Sequence, residues 1–560
     1  MKKYNNKSFK HSTGTQSQEH FASAIHADIQ RSTFMRNSTL KTTFNCGDLV
    51  PIYCTEYLPG DTVEMDLKNI SRLVTPIHPT MDNIVLDYYA FSIPNRLVWE
   101  NWTALMGENK SSAWAPSVEP ALVPRYSSST LIPSLSIGDY MGLPVGVSTT
   151  MCGGVSVTSF RAYALVYNEW FRDQNLQAPI PISLTNTVNY NSAFAPQKPL
   201  FKVNKKHDYF TSCLPAPQKG QSQFIPISID DYLPVISRTV ETNPYPVVPS
   251  LQVRSVTSGV SFLGGNLGVS VGGHIQRENT TPVSSGVSDV YISNLWADGT
   301  GKTFSGGSVS SLRTAFQVQK LFEKDARGGT RYVEMLKSHF GVEAEDFRVQ
   351  RPELLGHLST GIDIYQIAQT SSTDNVSPQG NLSAFGHAEI NAPLFKKSFV
   401  EHGILQIYAV ARHKKTYQYG LEKMFSRRSR LDYYLPTLAN ISEQPVLNKE
   451  IFVSSNNVTN EEVFGYNEAW ADYRYKPNYV TGQFRSTAVN SLDVWHYADK
   501  YTDIPILSDS WIQDNSKINV DRTLAVSSLL SNQIYADFSF INKSTRPMPV
   551  YSVPGLVDHF

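Results

Sequence analysis

Residues 62–70 read TVEMDLKNI, which sets Val63, Met65 and Leu67 on one side of an extended chain and Glu64, Asp66 and Lys68 on the other. A period of two is the mark of a strand with one buried face and one wet face. Two further stretches, NIVLDYYAFSIP at 83–94 and GILQIYAVARH at 403–413, are apolar almost throughout. Such runs suit strands covered on both faces. Prolines and glycines punctuate the chain between them, and helices do not alternate with them. The pattern predicts a mainly β protein, a sandwich with long excursions rather than a parallel sheet of βαβ units.

Helical pieces are few. RAYALVYNEWFRDQNL at 161–176 is apolar nearly all round, with Tyr163, Tyr167, Trp170 and Phe171 on one side and Ala162, Leu165 and Val166 near another. A helix of that kind is buried or lies in an interface. Farther on, RTAFQVQKLFEKDA aligns Ala315, Val318, Phe322 and Ala326, and Gly328-Gly329 stops it. TRYVEMLKSHF then aligns Val333, Leu336 and Phe340, so a helix–GlyGly–helix hairpin is predicted.

Charge excludes some classes of function. The 49 basic and 49 acidic residues balance, so any nucleic-acid site must be a local patch. Charged residues make up only 18% of the chain and aromatics 11%, which suits long ordered loops and much surface covered by partners. Four scattered cysteines, Cys46, Cys54, Cys152 and Cys213, make neither a disulfide framework nor a Cys-x-x-Cys zinc ribbon, and point to synthesis in a reducing compartment. The first 20 residues carry no apolar run after their basic ones, so they do not read as a secretory signal. No stretch is apolar enough for a membrane span.

Two short motifs suggest enzymes. WADGTGKTF at 296–304 looks like the end of a phosphate-binding loop, and GVSVG at 268–272 fits a serine nucleophile elbow. The first lacks its leading glycine, since Trp296 stands there, and FSGGSVSS after it is a poor helix start. A phosphate loop needs that helix. The elbow needs one too, and VGGHIQRE follows Ser270. Both motifs lie in 251–310, which holds 11 of the 33 glycines and six charged residues, so chance matches are expected there. No metal-ligand motif occurs, and the sequence predicts no catalytic, cofactor or metal residues.

The stronger chemical signal is basic and aromatic. Residues 411–434, ARHKKTYQYGLEKMFSRRSRLDYY, carry Arg412, Lys414, Lys415, Lys423, Arg427, Arg428 and Arg430 among Tyr417, Tyr419, Phe425, Tyr433 and Tyr434. Cations follow a phosphate backbone and aromatic faces stack unpaired bases, a combination suited to single-stranded nucleic acid. The polar N-terminal arm adds Lys2, Lys3, Lys7 and Lys10 before its first acid, Glu19. EAWADYRYKPNYVTGQFRS at 468–486 is a milder case. The plain alternative for all three is a solvated face or packed arginines.

Several blocks together resemble one family. They are DLKNISRLVTPIHPTMDNIVLDYYAFSIPNRLVWENWTALMGE at 66–108, RAYALVYNEWFRDQNLQ at 161–177, HDYFTSCLPAPQKG at 207–220, FEKDARGGTRYVEMLKSHFGV at 322–342 and FGYNEAWADYRYKPNYVTGQFRS at 464–486. The blocks resemble the major capsid protein of microviruses, in the gokushovirus branch of small tailless phages with circular single-stranded DNA. The resemblance implies an eight-stranded jelly roll of the viral capsid type, assembling into a T=1 icosahedral shell. It divides the chain into an arm at 1–30, jelly-roll core at 31–220 and 311–560, and a variable Gly/Ser-rich insertion at 221–310 that protrudes from the surface. It implies as partners further copies of the chain, genomic single-stranded DNA, a small basic DNA-binding protein, an internal scaffolding protein, a pilot protein and a host surface receptor. It also implies a place in the virion and assembly in the host cytoplasm. The candidate DNA-contacting residues are Lys2, Lys3, Lys7, Lys10, Arg427, Arg428, Arg430, Tyr433 and Tyr434. The reading from another class is a β-sandwich hydrolase or carbohydrate-binding protein, with Ser270 or a cleft carboxylate at its site.

Overall fold

A computed structural model describes residues 30–108, 122–220, 309–370, 373 and 378–551, and within 221–308 the backbone of short strands. Nine strands form one continuous antiparallel sheet. They are β1 (Ser32–Met35), β2 (Ser38–Phe44), β3 (Val50–Tyr57), β4 (Thr62–Leu73), β5 (Ile84–Pro94), β6 (Glu353–Ala368), β7 (Leu382–Ser398), β8 (Gly403–His413) and β9 (Ile534–Arg546). β1 and β2 pair with successive stretches of β9, so together they fill a single position at its edge.

The register folds this sheet in two. β6 pairs with β5 over Glu353–Ile362 and with β7 over Asp363–Ala368, so it leaves one layer and enters the other. The layers run β2-β9-β4-β7 and β3-β8-β5-β6. Pairing is nested: β2 with β9, β3 with β8, β4 with β7, β5 with β6. A long hairpin rolled up on itself gives this order, which is the jelly roll.

The core lies between the layers. Val63, Met65 and Leu67 of β4 point into it, as their alternation predicts, and meet Ile534, Phe538 and Phe540 of β9, Leu86 and Tyr88 of β5, and Leu405, Ile407 and Ala409 of β8. Each of the Val, Leu, Ile, Met and Phe side chains among them contributes about 1.5–3 kcal/mol by leaving water. The inward face of β4 continues as Asn69 and Ser71, which are polar and buried. Asn69 Nδ2 donates to the Tyr88 hydroxyl at 2.6 Å and to Ser71 Oγ at 2.8 Å, which removes the cost of burying them.

The outer face of β5 and β8 is covered as well. Phe91, Ile404, Tyr408 and Val410 pack against helix α1 (Thr158–Val166), where Phe160, Ala162, Tyr163 and Val166 are buried. This explains why both strands are apolar throughout and why α1 is apolar all round. The helix is buried within its own chain. It is also shorter than predicted, passing through a wider turn, Tyr167–Phe171, to an extended Arg172. There Arg172 Nη1 donates to the Gln177 carbonyl at 2.6 Å, and Asp173 Oδ1 accepts the backbone N–H groups of Asn175 and Leu176, so side chains outcompete the helical bonds.

Helix α2 (Val309–Gly328) ends at Gly329, whose φ of +97° suits glycine, and Tyr332–Met335 opens the next helical stretch, so the predicted hairpin forms. The chain divides into two compact units, Met1–Lys219 with Glu323–Phe560, and Gly220–Phe322. In the second, Leu267–Val269 pairs antiparallel with Ile275–Arg277, Leu295–Ala297 with Val235–Ser237, and Phe304–Ser305 with Ser228–Ile229.

Candidate nucleic-acid interface

β8 delivers the basic segment to two environments. Arg412 and Lys415 go inward. The Arg412 guanidinium stands 3.1 Å from Asp87, and the Lys415 ammonium donates to Asn515 Oδ1 at 2.6 Å and stands 3.5 Å from Asp514. Both cations are spent inside the subunit, which corrects the reading of the whole segment as one basic patch. The strand and its exit carry them under the surface, where their acids wait. Lys423 Nζ donates to the Pro445 carbonyl at 3.3 Å.

The chain then runs outside as three short turns, Lys423–Ser426, Arg430–Asp432 and Pro436–Leu438. Arg427 is held here. It pairs with Asp472, lies 4.2 Å from the Tyr473 ring centre and 5.5 Å from that of Tyr433, and leaves only 10% of its side chain exposed. Arg428 and Arg430 are exposed, and among the described residues their guanidinium groups meet no carboxylate. Their turn is closed by Asp432, whose Oδ2 accepts the Ser429 N–H at 2.6 Å and the Arg428 N–H at 2.8 Å. These backbone donors, Ser429 first, hold the carboxyl below its ordinary pKa.

Tyr433 and Tyr434 are each about half exposed, at 51% and 45%. Tyr434 stands edge-on to Trp470 at 5.7 Å and near Tyr473 at 6.2 Å. Trp470 anchors this corner, donating Nε1 to the Leu438 carbonyl at 2.8 Å from a left-handed backbone with φ of +63°. The structure thus joins two patches that are separate in sequence, 411–434 and 468–486, into one surface. The second patch supplies aromatic rings and one counter-ion more than free charge. Arg474 pairs with Glu468 at 2.8 Å, Lys476 with Glu422 at 3.1 Å, and Arg485 donates to the Gln418 carbonyl at 2.9 Å. Asp472 is the residue that sequence reasoning missed, because nothing local marks it as the partner of Arg427. Lys2, Lys3, Lys7 and Lys10 lie outside the described residues.

Among the described residues this surface offers two guanidinium groups free of carboxylates beside two half-bare phenol rings, able to hold phosphate and stack a base. Catalysis finds no support in the two motifs. Only residues 270–274 separate the paired strands around GVSVG, too few for the helix an elbow needs. The strand Phe304–Ser305 follows GTGKT directly, where a phosphate loop would begin a helix. Among the described residues no three His, Cys, Asp or Glu side chains gather to hold a metal ion, and no helix is long and apolar enough to cross a membrane.

The family described as capsid protein (F protein) matches residues 23–556. The chain belongs to this capsid protein family. Capsid protein VP1 of Spiroplasma virus 4 is 42% identical over 539 residues, covering 92% of this chain and 93% of the relative. VP1 of Bdellovibrio phage phiMH2K is 38% identical over 553 residues, covering 97% and 98%, and VP1 of Chlamydia phage 1 is 38% identical over 598 residues, covering 96% and 97%. The relatives agree with the gokushovirus resemblance. This capsid protein is therefore a structural component of a small-phage virion and not an enzyme.

Proposed function

We propose that this capsid protein closes with copies of itself into a T=1 icosahedral shell around circular single-stranded DNA, assembling in the host cytoplasm. One observation carries self-association. Large apolar side chains remain bare on the folded chain, with Leu529 91% and Leu530 85% exposed and Val489, Ile506 and Ile518 largely uncovered. Water penalises such surface, and a neighbouring copy removes it. DNA contact falls to Arg428, Arg430, Tyr433 and Tyr434, with Lys2, Lys3, Lys7 and Lys10 on an arm that reaches inward. The chain is net neutral, so the remaining countercharge comes from a small basic DNA-binding protein and small ions. An internal scaffolding protein and a pilot protein complete the assembly. Residues 221–310 form an outward protrusion that meets a host surface receptor.

Particles recovered from an expressing host test this reading. Wild type is expected to give virus-sized DNA-containing shells, and Leu529→Asp with Leu530→Asp to leave a folded subunit that does not close. Normal shells from the double variant would remove the basis for self-association argued here.

A further inference from the structure

A cavity of about 730 Å³ opens beside the outer face of β5. Its size lies in the ~300–1,000 Å³ range of small-molecule sites. Tyr89 and Trp170 line it, one face of each already covered, Tyr89 by the His357 ring at 4.5 Å and Trp170 by the Arg351 guanidinium at 4.2 Å, and Arg172, Arg327, Arg331 and Arg412 bring four guanidinium groups beside the acids Asp173 and Glu334. Arg412 pairs with the buried Asp87 at 3.1 Å, which it shares with Lys206 at 2.9 Å. Arg331 is matched by two carboxylates, and Arg172 is the cation left over. Arg172 makes no ion pair among the described residues, and its one described side-chain bond goes to a carbonyl. Arg331 stands 3.3 Å from Glu334 and 3.7 Å from Glu169 and spends one end on the carbonyls of Asn168 and Arg172. The Nε atoms of Arg172 and Arg412, and Oδ1 of Asn204, are buried behind this wall without a hydrogen-bond partner among the described residues, so the ends of the guanidinium groups, not their Nε atoms, face the cavity. Burial, and then the charge of Arg331, hold the Arg172 guanidinium below its ordinary pKa. Arg172, crowded by Arg331 and with no carboxylate of its own among the described residues, is stabilised by an anion beside it.

The aromatic wall narrows the choice of anion to one that carries a flat ring. A basic peptide is disfavoured by the same cations. We propose that this cavity takes one nucleotide unit, its phosphate beside Arg172 and its base against the wall of Tyr89 and Trp170. Inside an assembled shell that unit belongs to the enclosed strand, so the biological role rests on the DNA reading above, whereas the chemistry of the cavity does not. A nucleotide bound there would fix the strand to each subunit at one point, independently of the Arg428 and Arg430 surface.

Calorimetry on the full-length protein with thymidine 5′-monophosphate, thymidine and inorganic phosphate tests the chemistry. The monophosphate is expected to bind tightest, and Arg172→Gln to weaken it by at least about tenfold, the loss of one charge-assisted bond, while Arg172→Lys recovers part of it. Equal binding of thymidine and its monophosphate, or an unchanged affinity in Arg172→Gln, overturns the proposal. Wild-type crystals soaked with 5-bromodeoxyuridine monophosphate give a measurement that no folding defect can confuse. Anomalous bromine signal in the cavity supports the site, and bromine only elsewhere, or water or a peptide filling the cavity, overturns it. DNA-filled shells with no nucleotide in the cavity would leave the genome reading standing and remove this one. Shells without DNA would do the reverse if the monophosphate still binds.

Discussion

Removing the Arg427 side chain would leave the Asp472 carboxylate, only 12% exposed, beside Tyr473 with no counter-ion. A fully buried pair broken on one side costs ~3–5 kcal/mol, and this one keeps some water, so Arg427→Ala should cost about 2 kcal/mol in unfolding free energy. Arg428→Ala with Arg430→Ala should cost little stability, since both side chains stand in solvent. The double variant should instead lower the DNA content of particles and flatten its salt dependence by ~0.7 in the logarithmic slope for each phosphate left without its cation. Denaturant unfolding and DNA content across a salt series separate the two. Reduced stability in the double variant, or DNA missing only from Arg427→Ala, would reverse these assignments. Three arginines within four positions thus divide between architecture and surface, and the division is set by one aspartate remote in the chain.

Among the elements, β4 and β8 were legible because one or both of their faces are uniformly apolar, and local periodicity reports that directly. β9 has the same alternation in Ile534, Ala536, Phe538 and Phe540, but it was not singled out from sequence. β6 and β7 offer less to read. Their outer stretches are exposed, so the pattern fades where the hairpin carries the chain from one layer to the other. Nor does sequence announce the bulges, where the register slips between Leu354 and Gly356 on β6 and between Pro393 and Phe395 on β7. At that point a Cβ on Gly356 would run into the Leu394 carbonyl oxygen, so the two layers close over a glycine because nothing larger fits. Gly356→Ala is expected to destabilise by ~1–3 kcal/mol, as overpacking does. An unchanged unfolding midpoint would show that the edge can open without cost. The candidate interface was half legible for a related reason. Charge density marks a basic run, while the acids that consume it, Asp87, Asp472 and Asp514, are distant in sequence and invisible to local reading.

For the molecule as a whole, acid is the informative stress. His413, at the end of β8, is fully buried among charges from several elements: Lys415, Asp499 and Asp514, with Lys205 pairing to Asp499 at 3.8 Å. Its Nδ1 donates to the Lys414 carbonyl at 2.8 Å, and its Nε2 accepts from Asn519 at 3.1 Å and faces the Lys415 ammonium at 3.4 Å. A proton on Nε2 would confront two donors. Burial, and then Lys415, push the His413 pKa down from 6.5 to about 4. The unfolded chain therefore takes up this proton first. The histidine's contribution is complete above pH 6.5 and is lost as pH falls to about 4, on the order of 3 kcal/mol. Asp499 and Asp514, held low by Lys415 despite their burial, extend the loss to more acid conditions. Melting temperatures of the free subunit should fall steeply across that window, and His413→Gln should be less stable at neutral pH but flatter in its response. A wild-type curve without a slope between pH 6.5 and 4 would contradict the neutral assignment.

The nested pairing of the strands also has a consequence in time. β2 lies near the start of the chain, yet its partner is β9, and β4 too is flanked on one side by β9. A ribosome adds ~5–20 residues per second, so the first strands wait roughly half a minute or more for the last one to emerge. Until then one layer lacks its second strand and its inner surface cannot close. A truncated or stalled product would therefore fail to present the finished subunit surface. If copies of this chain close into a shell as proposed, completion of translation would itself be the licence to join it.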